Sequence, residues 1–242
     1  MAHRRWEYRL PTDAMPLMKR PKVIAFDVVE TLAPLAPVAA ALKDAGFPDH
    51  TLPLFFAQML RDAFALEGAG TYRPFATVAR ATLQVVAATL GVAADAATLD
   101  RVMDSFGTLS AASDVKPAFE RARAANVRIV TLTNGSAANT QGMLDRSGLA
   151  TLVDRTISID EIEHWKPNPL VYRHAAQVCG VAPEEMALVA AHAWDTHGAR
   201  QVGFQTAWIE RKDAAQSTAM APADVHGVSL LDAVESLVTL PA

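Results

Sequence analysis

Residues 22–28 form a short, β-branched, apolar run, bounded by Pro21 on one side and the polar pair Glu30-Thr31 on the other. Continuous hydrophobicity over so few positions predicts a strand covered on both faces, as in a parallel sheet. A second run of the same kind, Val127-Arg128-Ile129-Val130-Thr131-Leu132, leads into Thr133-Asn134-Gly135-Ser136. Between the two, residues 34–112 carry no strand pattern. Leu99, Val102, Met103 and Phe106 instead repeat at the spacing of one helix face. Leu83, Val86 and Leu90 form another such stripe, closed by Gly91. This segment is read as an all-helical insertion between the first two core strands.

After residue 113 helix and strand patterns alternate. Helices are expected over about 115–125, about 137–147 with Gly148 as the stop, and about 229–239. Another begins at Asn168-Pro169, Asn as N-cap and Pro in the first turn, and ends at Gly180. Strands are expected over 155–158, 186–190 and 205–209. Such alternation predicts an α/β fold, a Rossmann-like, doubly wound and mostly parallel sheet with helices on both faces. The expected organisation is an N-terminal arm over 1–20, a core built from 21–33 and 113–242, and a helical cap over 34–112.

Composition narrows the partners. The 242 residues are 51% hydrophobic and 20% charged, ordinary values for a globular protein with a sizeable core. A formal charge of −4 gives no electrostatic reason to expect nucleic acid or an anionic membrane. No apolar stretch reaches the ~18–20 residues of a membrane span. The first residues hold Arg4, Arg5, Arg9, Lys19 and Arg20 without an apolar signal core, so the arm is expected to be disordered or to precede an internal start, and secretion is not expected. The single cysteine, Cys179, excludes an internal disulfide and fits a reducing cytoplasm, with core filling as its expected role.

Four polar features fall at or just after expected strand ends: Asp27 with Thr31, Thr133 with Asn134, Lys166, and His192 with Asp195. In a parallel sheet those ends open into one crevice, where ligands bind. A carboxylate delivered there is placed to attack an electrophile. An ammonium group beside it would keep it ionised and attract an anionic substrate.

Phe26-Asp27-Val28-Val29-Glu30-Thr31-Leu32, Leu132-Thr133-Asn134-Gly135-Ser136, Lys166-Pro167-Asn168-Pro169-Leu170-Val171-Tyr172 and Ala191-His192-Ala193-Trp194-Asp195 together resemble the haloacid dehalogenase superfamily, and within it the type II 2-haloacid dehalogenase branch. The resemblance spans about residues 22–209. It implies that Asp27 is a nucleophile forming a covalent ester, that Thr31 fixes its angle, and that Thr133 and Asn134 hold a substrate anion. Asp195 matches the position of the base that activates hydrolytic water. His192, where many relatives carry Asn, would help orient or deprotonate that water, Tyr172 would hydrogen-bond in the site, and Trp194 would pack nearby. No cofactor is implied; a small anionic substrate is, and homodimers are common in this branch.

Superfamily phosphatases place a general acid two residues after the nucleophile and bind Mg²⁺ with help from acids in the last motif. Here the acid position is Val29, and the earlier acid of the last motif would be Ala191. A halide leaves without protonation, so hydrolytic, metal-independent dehalogenation of a short 2-haloalkanoic acid is the leading expectation. A Mg²⁺-dependent phosphatase using an atypical acid such as Glu30, or a binding protein that has lost the chemistry, are the alternatives. The branch's halide-cradling arginine, on its first cap helix, falls at Phe56; Arg61 is the nearest basic substitute, pointing elsewhere on a regular helix. Phe55, Phe56 and Phe64 are expected to wall the pocket.

Overall fold

The computed structural model describes residues 18–242; residues 1–17, and with them most of the expected arm, lie outside the described residues. The centre of the fold is β1 (Val23–Phe26), which pairs in parallel with β2 (Arg128–Thr133) on one side and β4 (Met186–Ala190) on the other. Beyond β2 lies β3 (Arg155–Ser158), and beyond β4 lie β5 (Gln205–Ile209) and β6 (Val225–Gly227), giving the all-parallel order β3-β2-β1-β4-β5-β6. Every residue of β1, β4 and β5 is buried, which is why these strands read as unbroken apolar runs.

The first strand is shorter than the expected 22–28. Its ladder ends one residue after Phe26, where the Asp27 N–H donates to Val189 O at 3.1 Å. The chain then folds back tightly, Leu32 and Ala33 N–H both donating to Val28 O at 2.8 and 2.9 Å. Glu30 takes a left-handed backbone in this turn, φ 64°. For a residue with a Cβ that costs about 1–2 kcal/mol.

In the insertion, α1 (Ala36–Asp44), α2 (Thr51–Gly68), α3 (Phe75–Leu90) and α4 (Ala96–Asp104) run into a 3₁₀ turn, Ser105–Thr108. No strand interrupts them. Helices α2 and α3 pack together through Phe55, Met59 and Ala63 on one and Val78, Ala79, Leu83 and Val86 on the other. Gly91 ends α3 at φ 68°, the left-handed cap its position suggests. Asp95 caps α4 by accepting from Thr98 N–H at 2.8 Å.

The core helices are α5 (Val115–Ala124), α6 (Ala137–Arg146), α7 (Pro169–Cys179), α8 (Ala193–Arg200) and α9 (Leu230–Val238). Asn168 caps α7 and Gly180 ends it at φ 66°, as the sequence pattern predicts. Two elements escape that pattern. Helix α8 lacks an apolar stripe, and β6 is a three-residue edge strand containing an exposed His226. Gly198 in α8 is required by close packing on α7: a Cβ there would lie 2.6 Å from Pro167 Cβ and 2.7 Å from the Tyr172 hydroxyl. Cys179 is a buried free thiol on α7, its pKa raised by burial, in keeping with core filling. Among the described residues no helix is long and apolar enough to cross a membrane.

A polar latch ties the end of α2 to the loop before α7. The Glu67 carboxylate accepts from Trp165 N–H at 2.8 Å and from the Asn168 side chain at 2.5 Å, and meets His164 Nδ1 at 2.9 Å. The Trp165 indole donates to Arg73 O at 2.9 Å, and Tyr72 donates to Asp160.

Candidate active site

Parallel register brings Asp27, Thr133 and His192 out at the same end of three adjacent strands, β1, β2 and β4. Lys166 reaches them from the loop preceding α7, 0% exposed. Its Nζ donates to Asp27 Oδ1 at 2.7 Å, Asp195 Oδ2 at 2.7 Å and Leu132 O at 2.9 Å. An ammonium has three protons, and all three are used. Lys166 therefore binds the nucleophile and has no hydrogen bond left for direct contact with a substrate anion. Its backbone N–H donates to Asn134 Oδ1 at 3.1 Å, which fixes the loop against the end of β2.

The other oxygen of Asp27 has different company. Oδ2 accepts from the Thr31 hydroxyl at 2.6 Å, and His192 Nδ1 lies 3.3 Å away. The same Thr31 oxygen accepts from Ala191 N–H at 2.9 Å, so the hydroxyl proton is directed at Asp27. On its far side the His192 ring meets Glu30 Oε2 through Nε2 at 3.1 Å. Lys212 pairs with the remaining Glu30 oxygen and lies over the Phe56 ring, 5.2 Å from its centroid. The imidazole is sandwiched between Phe56 and Trp194, at 6.2 and 5.2 Å between ring centroids.

These contacts set the charges. Burial alone would raise the Asp27 pKa, but the Lys166 ammonium and the His192 hydrogen bond outweigh it and hold the carboxyl well below the usual carboxylate range. Burial opposes the charged form of Lys166, yet Asp195 and Asp27 raise its pKa and keep it an ammonium. For His192 burial is again overcome, here by hydrogen bonds to Asp27 and Glu30, and its pKa is pushed up to about 9. The resting imidazole is thus cationic at neutral pH and is no base in that state. Burial and the neighbouring Asp27 charge raise the pKa of Asp195 despite Lys166.

Tyr172 is fully buried and donates to Asp195 Oδ1 at 2.7 Å. It does not line the cleft, so its hydrogen bond in the site goes to Asp195 rather than to a substrate: the phenol holds Asp195, and Asp195 holds Lys166. Burial and the Asp195 charge push its pKa well up, keeping it a donor. Asp195 is left with one oxygen on Lys166 and the other on Tyr172.

The cleft above Asp27 is narrow, lined by Asp27, Val29, Thr133, Asn134 and His192 together with Phe56, Met59, Leu60, Phe75, Trp165 and Trp194. Phe56 sits on α2, the second helix of the insertion rather than the first. Arg61 is not brought to this cleft; it is exposed and paired with its neighbour Asp62, Nε to Oδ1 at 2.9 Å. Phe55 is a fully buried residue of α2 and Phe64 lies edge-on to Trp194 at 5.3 Å, so of the three expected wall residues only Phe56 lines the cleft. Sequence reasoning misses Trp165, Met59 and Leu60 as lining residues. It also misses Glu30 as a partner of His192 and Lys212 as a partner of Glu30. The alternation of polar and apolar residues around Glu30 carries no such signal; its left-handed φ does. Among the described residues no three His, Cys, Asp or Glu side chains are grouped as a metal ion would need.

Comparison with known proteins gives a consistent picture. A family model described as haloacid dehalogenase-like hydrolase matches residues 21–203. The (S)-2-haloacid dehalogenase 1 of Pseudomonas sp. (strain CBS-3) is 34% identical over 138 residues, 57% of this chain and 60% of that protein. The chain thus spans about three fifths of that relative. The (S)-2-haloacid dehalogenase of Pseudomonas fluorescens is 26% identical over 200 residues, covering 82% and 88% of the two chains. The L-2-haloacid dehalogenase structure from Xanthobacter autotrophicus shares the fold with a TM-score of 0.83 at 23% identity, over 90% of this chain and 99% of that one.

Proposed function

Because the chain belongs to the haloacid dehalogenase-like hydrolases, we propose that it is a hydrolytic 2-haloacid dehalogenase that works without a metal ion on a short acid of the haloacetate type. The observation that carries this reading is an ionised Asp27 facing a small cleft in which the adjacent side chain, Val29, cannot give or take a proton. Phosphate-ester cleavage needs a proton on its leaving group, an effect of roughly 10²–10⁴-fold. Halide displacement does not. The names of the relatives point the same way.

In the proposed reaction an Asp27 oxygen attacks the carbon bearing the halogen, a C–O bond forms, and halide leaves with the bonding electron pair. Lys166 and Thr31 hold the carboxylate in place, at 2.7 and 2.6 Å. The product is an alkyl ester of Asp27, which water hydrolyses to a 2-hydroxy acid. A narrow cleft closed in by aromatic and aliphatic side chains suits a two- or three-carbon acid better than a larger one. Its His192 lines the cleft beside Asp27 and adds positive charge near a substrate carboxylate. Helices α1–α4 act in this reading as the cap over the core of residues 21–33 and 113–242, with the protein cytoplasmic and a homodimer as in the branch it resembles.

Purified protein should release halide from chloroacetate or 2-chloropropionate in the presence of EDTA. Loss of turnover on chelation, or phosphate release from aryl phosphates that rises with added Mg²⁺, would replace this reading with the phosphatase one.

A further inference from the structure

A second, apolar pocket lies against the cleft, and halide displacement makes no use of it. It shares three side chains with the cleft: Val29, Phe75 and Thr133. The rest of its apolar wall comes from both parts of the fold. Phe106 and Leu109 stand at the end of the insertion, Val28 and Ala33 in the turn after Asp27, and Met143 on α6. Phe75 separates the two spaces. Its ring stacks on Trp165 of the cleft at 6.1 Å between centroids and meets Phe106 of the side pocket edge-on at 5.4 Å. Val29 and Phe75 are only partly buried, whereas Val28, Phe106, Leu109 and Met143 are buried.

Polar groups where the two spaces meet are held by their neighbours. Thr133 Oγ1 accepts from Gly135 N–H at 2.9 Å, Ser136 Oγ accepts from Asn139 N–H at 3.2 Å, and the Ser158 hydroxyl donates to Gly135 O at 2.8 Å. Among the described residues no charged side chain lines the side pocket. A carboxylate placed there would lose its water without gaining a partner, whereas hydrocarbon would gain by leaving water. The walls are also fixed. The Arg146 guanidinium on α6 donates to Leu109 O at 2.7 Å, and Ala111 N–H donates to Ser147 Oγ at 2.9 Å, fastening the end of the insertion to the core.

We propose that this side pocket takes the hydrocarbon chain on C2 of the substrate. The cleft holds the carboxylate, the carbon that Asp27 attacks and the carbon next to it. Later carbons pass between Val29 and Phe75 and lie against Phe106, Leu109 and Met143. The substrate class then extends beyond the haloacetate type to 2-haloalkanoic acids with a short unbranched tail, such as 2-halobutanoates and 2-halopentanoates. Closely packed, fastened walls set the upper limit, because a fixed pocket resists each methylene beyond the space it offers. This inference rests on the dehalogenase reading above.

The test follows bromide release by the full chain from 2-bromopropionate, 2-bromobutanoate, 2-bromopentanoate and 2-bromohexanoate. Each kcat/KM is divided by the propionate value of the same protein. In wild type this ratio should rise by up to about fourfold per added methylene as far as pentanoate. Asn139 lines the side pocket from an exposed position on α6, so Asn139→Trp fills the space without disturbing the core. It should lower the pentanoate ratio by about tenfold or more. Met143→Ala enlarges the pocket and should raise the hexanoate ratio. That truncation also weakens the core, so Asn139→Trp carries the test alone if the alanine variant does not fold. A wild-type ratio that falls about tenfold or more at butanoate, or a pentanoate ratio that Asn139→Trp leaves unmoved, would overturn the assignment and leave the dehalogenase reading standing. Release of no bromide from any of the four acids would overturn that reading, and this inference with it.

Discussion

The two oxygens of Asp27 face two different environments. On the Oδ1 side, Lys166, Asp195, Tyr172 and the Leu132 carbonyl form a closed set in which all three ammonium protons are used and the Lys166, Asp195 and Tyr172 side chains are fully buried. On the Oδ2 side, Thr31, His192, Glu30 and Lys212 lead outward to a partly exposed lysine under aromatic rings. The inner set has no proton it can move without breaking a buried ion pair. The outer set contains an imidazole whose charge depends on its neighbours. One side of the nucleophile fixes charge, and the other can change it.

Breaking the shared member should have the largest effect. Asp27→Asn removes the attacking oxygen, and halide release should fall by roughly 10⁴-fold or more in a steady-state assay. Lys166→Met strikes the inner set alone. It leaves two buried carboxylates facing each other, so besides losing activity the protein should lose about 3–5 kcal/mol of stability in urea unfolding. A variant that melts like wild type would show that the inner set is not closed as described.

The outer set should reveal itself through pH. The folded pKa of His192, about 9, lies above its ordinary value of 6.5, so the folded state holds more protons between those values. The stability this contributes is complete below about pH 6.5 and is lost as pH rises through about 9. Thermal melts from pH 6 to 10 should therefore show a fall in wild type that is smaller in His192→Ala. Tyr172→Phe removes one hydrogen bond from Asp195 and should cost about 1–3 kcal/mol, with KM for substrate unchanged because the phenol does not line the cleft. Arg61→Ala should have the smallest effect, within about 0.5 kcal/mol in stability and no change in kcat/KM, as fits an exposed side chain outside the cleft.

The same division marks what could be read from the chain. Asp27, Thr133, Lys166 and His192 are legible because parallel strands deliver their last residues to one edge, and buried strands announce themselves as apolar runs. Capping residues such as Asn168 and Gly180 carry local rules and are found by them. The roles of Tyr172 and Glu30 are not local. Tyr172 looks like any polar aromatic near a site, and only the Gly198 contact that brings α8 against it turns its hydroxyl inward onto Asp195. Glu30 sits in a turn whose handedness no hydrophobic pattern encodes. Lys212 lies beyond the last recognisable motif, and Arg61, the basic residue nearest Phe56 in sequence, points to solvent because helical phase places it there.

Glu67 joins the helix that carries Phe56 to the loop that carries Lys166. Lifting α2 from the sheet would strip the Trp165 and Asn168 donors and the His164 contact from one carboxylate together. It would also tug on the backbone directly before the lysine that grips Asp27. Flooding of the chamber and misalignment of the attacking group are therefore a single mechanical event, so the enzyme cannot be pried open and stay armed.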